Sequence, residues 1–154
     1  MKTTIRRRWG DDGGAAAVEF ALILPMLVLM LAGIADLGQM VYVRSVLESA
    51  ARAGAQASFA DPSATATIEA AVQTAIAASG IANVVTPSAA QACECPNGTA
   101  VDCTTGTCAG TVRHYVTVTA TTTYTPMVNI TNLPFGLGVD LTTPLTGSSV
   151  IRAQ

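Results

Sequence analysis

The chain contains few charged residues. Asp, Glu, Lys and Arg make up 12% of its 154 residues, whereas half of all residues are hydrophobic. Soluble domains carry about 25% charged residues, so this composition indicates membrane contact over part of a single domain. From residue 15 onward only four basic side chains remain, against eight acidic ones. A surface with so few cations lacks the basic patch that nucleic-acid binding needs, so we expect no nucleic-acid partner.

Catalytic groups are equally scarce. His114 is the single histidine, and it falls on the apolar side of an alternating segment, as a packed or edge histidine would. The sequence shows no Ser-His-Asp arrangement, no glycine loop for phosphate and no convincing carboxylate pair. Glu19 and Asp36 lie roughly 25 Å apart along a helix and cannot share a site within one subunit. We therefore predict no catalytic residue, no cofactor and no enzymatic activity.

One long apolar segment follows a basic leader. The leader, residues 1–14, contains half of the chain's basic residues, namely Lys2, Arg6, Arg7 and Arg8. The segment from Ala15 to Ala35 carries one charge, Glu19, and as a helix it spans roughly 31 Å, about the hydrocarbon thickness of a bilayer. Because basic flanks stay on the cytoplasmic side, residues 61–154 are predicted to form an exported head. Asp36 is predicted to mark the outer membrane–water boundary.

The helical pattern continues beyond the membrane span. Apolar spacing extends to about Phe59, which predicts one long helix over 15–60 with its transmembrane part at about 15–35, loosened at Pro25. Glu48 and Arg52 are predicted to pair within it.

A second helix and a sheet are predicted beyond that. Asp61 is expected to cap the second helix, Pro62 to begin it and Gly80 to end it. Strands are predicted at 81–86 and 111–124, with residues 125–148 forming a loop with short strand pieces and the final SSVIRA closing the sheet. The predicted fold class is α+β: a long N-terminal helix with a small head of one helix and a short antiparallel sheet.

Four cysteines cluster within sixteen residues, at Cys93, Cys95, Cys103 and Cys108. An even, clustered set beyond a membrane segment predicts two disulfides in an oxidising compartment. The Asn97-Gly98 turn between the pairs favours the nested pattern, Cys93–Cys108 with Cys95–Cys103, and the crossed pattern is the alternative. Zinc knuckles prefer C-x₂₋₄-C spacing, which the first pair lacks, so we predict no metal site.

The residues GGAAAVEFAL are the most informative in the chain, because Gly14 ends the leader and Glu19 is the fifth residue after it. This arrangement resembles the prepilins of type IV pili. The longer stretch GAAAVEFALILP resembles the TadE-like (TadE/TadF) pilin-like proteins of tight-adherence (Flp, type IVc) pili. The resemblance covers residues 1–60 strongly and the head weakly.

The resemblance implies a function and a set of partners. A prepilin peptidase would cut after Gly14, leaving Ala15 as the new N-terminus and Glu19-Phe20 as the Glu-Phe pair of the family. The chain would be a minor pilin or pseudopilin in the bacterial cytoplasmic membrane, with a cytoplasmic N-terminus, and it could enter an extracellular pilus. Other pilin-like subunits and the pilus platform proteins would be its partners. The α-amine of Ala15 would pair with Glu19 of a neighbouring subunit and offset the burial of both charges.

Other interpretations of the N-terminal segment remain open. An ordinary secretory signal cut near Ala35, or a generic single-pass anchor, would equally give an extracellular binding module. Glu19 alone would also suit an acid at the cytoplasmic interface. A mature chain that begins at Ala15 distinguishes the pilin-like class from a secreted module that begins near Asp36.

Overall fold

The computed structural model describes residues 12–81, 83–127 and 142–153. Two helices precede four strands, in the order α1 (Asp12–Ala57), α2 (Thr65–Ser79), β1 (Val85–Glu94), β2 (Ala100–Val101), β3 (Arg113–Tyr124) and β4 (Thr143–Arg152). This arrangement confirms the predicted α+β class. Leader residues 1–11 and most of the predicted loop, residues 128–141, lie outside the described part of the chain.

Helix α1 has two different halves. Its first half is rich in Leu, Met and Ala, which favour helix, and its large apolar side chains are exposed from Val18 to Leu37. Its second half buries Val43, Leu47 and Ala50 at helical spacing, so this half supplies the helix's share of the core of the head. The ion pair in this half joins Arg44 and Glu48, with Nε 3.5 Å from Oε1, and the predicted pair of Glu48 with Arg52 is wrong.

Helix α2 begins later than predicted. Asp61 does not cap it, because its Oδ1 accepts hydrogen bonds from the backbone N–H and the hydroxyl of Ser63 and forms a separate turn. The N-cap is Ala64, which offers no side-chain oxygen, so Pro62 is not the first helical residue. The end is as predicted: Gly80 adopts φ +73°, the left-handed conformation that glycine allows without strain.

The four strands form one antiparallel sheet in the order β2-β1-β3-β4. The alternation predicted for residues 111–124 is confirmed, since β3 turns its even-numbered residues from Val116 to Tyr124 towards the helices. The strand predicted at 81–86 is wrong: β1 begins at Val85 and continues through Pro87 to Glu94. Pro87 is tolerated because β1 has only a short partner, β2, along that edge.

The core lies between the inner face of the sheet and the two helices. Its fully buried members include Leu47, Ile68, Val72, Val116 and Val118. Gly54 of α1 sits where the three layers meet, and a Cβ there would lie 2.5 Å from Val72 Cγ2 and 3.0 Å from Val118 Cγ1. The head is therefore built around the second half of α1, and the first half extends away from it uncovered.

Candidate functional site

The predicted processing residues lie in the first turns of α1. Gly14, Ala15, Glu19 and Phe20 are all exposed, and nothing lies within 4 Å of a Cβ placed on Gly14. Ala15 and Glu19 are one helical turn apart, about 6 Å along the axis. Glu19 makes no ion pair with any residue in the described ranges. The helix thus presents a carboxylate on a bare apolar surface.

That apolar surface is long enough to cross a membrane. Within Gly14–Ala57 an 18-residue window reaches a mean hydropathy of 2.4, and none of that window is buried. An N-terminal signal sequence has the same property, so length and hydropathy alone do not decide between them. What distinguishes this helix is that its second half is part of the core of the head. Membrane association through α1 follows from the bare first half.

Asp36 connects α1 to the head at the end of the bare surface. Its Oδ1 accepts a hydrogen bond from the Met127 backbone N–H at 2.7 Å and one from the Tyr124 hydroxyl at 3.1 Å. The Tyr124 hydroxyl also lies 3.0 Å from the Asp36 carbonyl oxygen. Burial, followed by the hydrogen bond and charge of Asp36, raises the pKa of Tyr124. From the sequence, Asp36 is predicted only to mark the outer membrane–water boundary. Its partners Tyr124 and Met127 lie 88 and 91 residues away, so no local sequence pattern predicts these contacts.

A groove of about 450 Å³ lies beside this contact. Its lining is largely apolar and joins one face of α1 to the end of the sheet, with Met30, Gly33, Ile34, Leu37 and Met40 facing Tyr124, Pro126 and Thr143. The Asp36 contact and this groove therefore lie together where α1 meets the end of the sheet.

Replacing Tyr124 with Phe tests this contact. We expect a loss of about 2 kcal/mol in unfolding free energy, because a buried hydroxyl that donates to a carboxylate is removed. Since the folded-state pKa of Tyr124 is raised, its contribution is fully present below about pH 10 and is lost as pH rises through the folded-state value. Denaturation in detergent micelles, followed by circular dichroism across alkaline pH, measures both effects.

Tyr42→Phe is the matched control. Its hydroxyl donates to the Ser79 carbonyl at 3.3 Å from an exposed position, so its removal should cost less than about 1 kcal/mol. Equal effects of the two substitutions would contradict the role assigned to Tyr124.

The cysteines form two disulfides, as predicted, but the favoured nested pairing is wrong. Cys93 is bonded to Cys103 and Cys95 to Cys108, with Cα–Cα distances of 5.2 and 5.5 Å. The predicted Asn97-Gly98 turn is present, and Gly98 has φ +84°. The pairing crosses because the chain turns again after β2.

This second turn is centred on Asp102. The backbone N–H and hydroxyl groups of Thr104 and Thr105 donate to its Oδ1, and the Gly106 N–H donates to its carbonyl. These hydrogen bonds hold the pKa of Asp102 well below its usual range, with those from Thr104 having the largest effect. The turn places Cys103 beside Cys93 and returns Cys108 to Cys95.

His114 lies beside one of the disulfides. Its Nδ1 is 3.2 Å from Cys93 Sγ, and the ligand atoms of Cys93, Cys103 and His114 all lie within 4.8 Å of one another. A three-ligand group of this kind suits a soft metal, but the two sulfur atoms are bonded to each other here. The prediction of a packed or edge histidine did not include this contact, which arises from cross-strand pairing.

Together these features define a class of protein: an apolar helix that anchors a disulfide-stapled α+β head and is built into its core. Residues 14–56 match the family model described as TadE-like protein, which confirms the resemblance inferred from the sequence for the helical segment. The match covers α1 and none of the strands, and it supports a pilin-like protein associated with the tight-adherence pilus. That family is structural and not enzymatic. Comparisons with curated proteins and with solved structures gave no significant match.

Proposed function

We propose that the protein is a minor pilin or pseudopilin that is processed by a prepilin peptidase and takes part in assembly of a tight-adherence (Flp-type) pilus. The observation that carries this proposal is the match to the TadE-like model, which begins at Gly14, the residue predicted to precede the cut. The bare first half of α1 supports it, because such a surface needs lipid or other apolar helices around it.

Processing would create a positive charge at the start of the helix. Cleavage after Gly14 leaves a free α-amine on Ala15, which is largely protonated at neutral pH. The amine and Glu19 lie one turn apart on the helix, so two neighbouring helices shifted by about one turn can place amine against carboxylate. A pair of this kind offsets the cost of both charges in the membrane and sets the axial register of neighbouring subunits.

The orientation follows from the leader and the head. The basic leader would remain on the cytoplasmic side of the bacterial cytoplasmic membrane, and the head would be exported. The two disulfides of the head suit an oxidising compartment. Packing of α1 with other pilin-like helices, and contacts of the head with the pilus platform proteins, would place the subunit in the assembly.

The N-terminus of the mature protein tests the proposal. Mass spectrometry of the protein from a bacterium that expresses a tight-adherence prepilin peptidase should find a chain that begins at Ala15. Gly14→Val should abolish this cut, because a branched side chain takes the place of a glycine that the peptidase must accommodate. Gly33→Val is the matched control, since Gly33 also lies in α1 with nothing within 4 Å of its Cβ position. We expect that control to be processed like the wild type.

The other outcomes are informative. A wild-type chain that begins near Asp36 would show an ordinary signal sequence and a secreted module, and would overturn the proposal. A chain that retains Met1 in the presence of the peptidase would show a simple membrane anchor. Loss of processing in both glycine variants would show that the helix, and not residue 14, is what the peptidase requires.

A further inference from the structure

We propose that the Cys93–Cys103 disulfide is a thiol–disulfide exchange site, at which a dithiol attacks Cys103 and His114 protonates the departing sulfur of Cys93. The partner implied is a dithiol oxidoreductase in the same compartment as the head. The inference rests on the geometry of the head and is independent of the function proposed for α1.

The sheet brings His114 and Cys93 together. They are direct cross-strand partners on β3 and β1. The Ala89 N–H reaches the Glu69 side chain of α2, so odd-numbered residues of β1 turn their backbone groups away from β3. Cys93 and His114 therefore form a non-hydrogen-bonded pair, the kind in which side chains lie closer. This register explains the 3.2 Å between Nδ1 and the Cys93 sulfur.

The two cysteine residues differ in exposure. Cys93 is only 3% exposed, whereas Cys103 is partly exposed. A surface depression of about 350 Å³ lies between the end of β1 and the Asp102 turn, and both cysteines line it together with Thr104 and Gln91. Because Cys103 is the more exposed of the two, we expect an incoming thiolate to attack Cys103, and the buried Cys93 is the sulfur that leaves.

The exchange then proceeds in two balanced steps. The thiolate of the dithiol forms a bond to Cys103 Sγ, the Cys93–Cys103 bond breaks, and its electron pair leaves on Cys93 Sγ. The imidazolium of His114 gives its Nδ1 proton to that sulfur. The second thiol of the reductant displaces Cys103 as a thiol. Two cysteine thiols are formed, and the dithiol is oxidised to a disulfide with the loss of two electrons.

Among the residues that the structure describes, no such proton donor lies beside the second disulfide. The polar atom next to Cys95 Sγ is the Thr107 carbonyl oxygen at 4.0 Å, which can only accept a hydrogen bond. Cys95–Cys108 belongs to the same hairpin and experiences the same buffer and reductant. It therefore serves as an internal control for the buffer and the reductant.

Other charged groups near this end of the sheet face elsewhere or are engaged. Glu94, Arg113 and Arg152 occupy positions that alternate to the opposite face of the sheet from Cys93 and His114. Asp102 lines the depression, but its Oδ1 accepts from Thr104 and Thr105. From α2, Glu69 accepts the Ala89 N–H. Among the described residues, His114 is thus the side chain placed to deliver a proton to Cys93.

Reduction of the full-length chain in detergent micelles by dithiothreitol tests the proposal. Samples are quenched over time with an alkylating agent, and mass spectrometry follows each disulfide separately. The ratio of the two rates cancels the reactivity of the reductant itself. We expect Cys93–Cys103 to be reduced about tenfold faster than Cys95–Cys108 at neutral pH, because His114 can protonate the departing sulfur.

Variants distinguish the chemical effect of His114 from an effect on folding of the head. His114→Gln should remove the rate advantage while Cys95–Cys108 is reduced as before. Tyr115→Phe changes the next residue, on the other face of the sheet, and should alter neither rate. If His114→Gln opened the hairpin, both rates would rise together, and the wild-type rate ratio and the site of the monothiol adduct would then decide the question.

A monothiol reductant shows which sulfur is attacked, because it stays attached to that cysteine as a mixed disulfide. Reduced glutathione should leave a mixed disulfide on Cys103. A wild-type rate ratio of about 1, a His114→Gln chain with the wild-type ratio, or an adduct on Cys93 would each overturn the proposal.

Discussion

A Glu19→Gln chain should be cut after Gly14 like the wild type and should then fail to enter pili. The substitution keeps the size of the side chain and removes its charge, so the α-amine of Ala15 in a neighbouring subunit would be buried without a partner. Removal of one member of a buried ion pair costs about 3–5 kcal/mol, which corresponds to a fall in incorporation of about 100-fold or more. Immunoblots of sheared pili and of the membrane fraction measure incorporation and processing separately.

Glu48→Gln is the matched control for this prediction. Glu48 lies on the same helix, but its ion pair with Arg44 is on the surface, where such pairs contribute about 0–1 kcal/mol. We therefore expect the control to be incorporated normally. Normal incorporation of Glu19→Gln would exclude the amine–carboxylate pair, whereas failure of both variants would point to a general requirement for charge on α1.

Gly147→Ala should destabilise the head strongly. Gly147 lies at the middle of β4, where the strand crosses α1, and an added Cβ would overlap backbone atoms of Leu47 and Glu48. Backbone atoms of a packed helix cannot move aside as the end of a side chain can. We expect a loss of about 3 kcal/mol in unfolding free energy, the upper end of the usual cost of overpacking. Thermal unfolding of the oxidised chain in micelles measures it.

Gly38→Ala provides the comparison. Gly38 lies on α1, and nothing is within 4 Å of its Cβ position. Alanine is favoured over glycine in a helix by about 1 kcal/mol. This variant should unfold at or above the wild-type temperature. A Gly147→Ala chain as stable as the wild type would mean that β4 does not lie against α1 as described.

These experiments address different parts of the molecule. The Glu19 and Gly14 variants concern the membrane half of α1, and the His114 variants concern the far end of the sheet. An exchange-active disulfide in a protein that is not processed would leave the redox inference intact and remove the pilin-like function. A protein that is processed but shows no exchange at Cys93–Cys103 would keep the pilin-like function and remove the redox inference.

Much of the fold followed from local pattern. The bare half of α1 was visible as an uncharged run from Phe20 to Ala35, since a membrane-spanning helix must be apolar on every side. Strand β3 was visible because its inner and outer residues alternate with the period of a strand. The predicted strand 81–86 stops before Pro87, whereas β1 continues through Pro87 to Glu94 because an edge position tolerates proline.

Only part of the candidate site could be predicted from the sequence. The arrangement of Gly14, Ala15 and Glu19 could be predicted, because their spacing along one helix is itself the relevant geometry. The crossed disulfides could not, because the Asp102 turn that brings Cys103 to Cys93 comes after the hairpin turn that the sequence signals. Asp61 was misassigned for a related reason: a side chain that can cap a helix can equally close a turn with Ser63.

The sequence by itself determined that this protein has a membrane-length helix with an acid one turn from a predicted cut, and an α+β head with paired cysteines. These properties depend on residues close together in the chain, where spacing translates directly into geometry. Only the tertiary structure decided that Tyr124 meets Asp36, that Gly147 lies against α1 and that His114 faces Cys93. Such contacts join residues that are distant in the chain, and they are selected by the packing of whole elements, which no local pattern records.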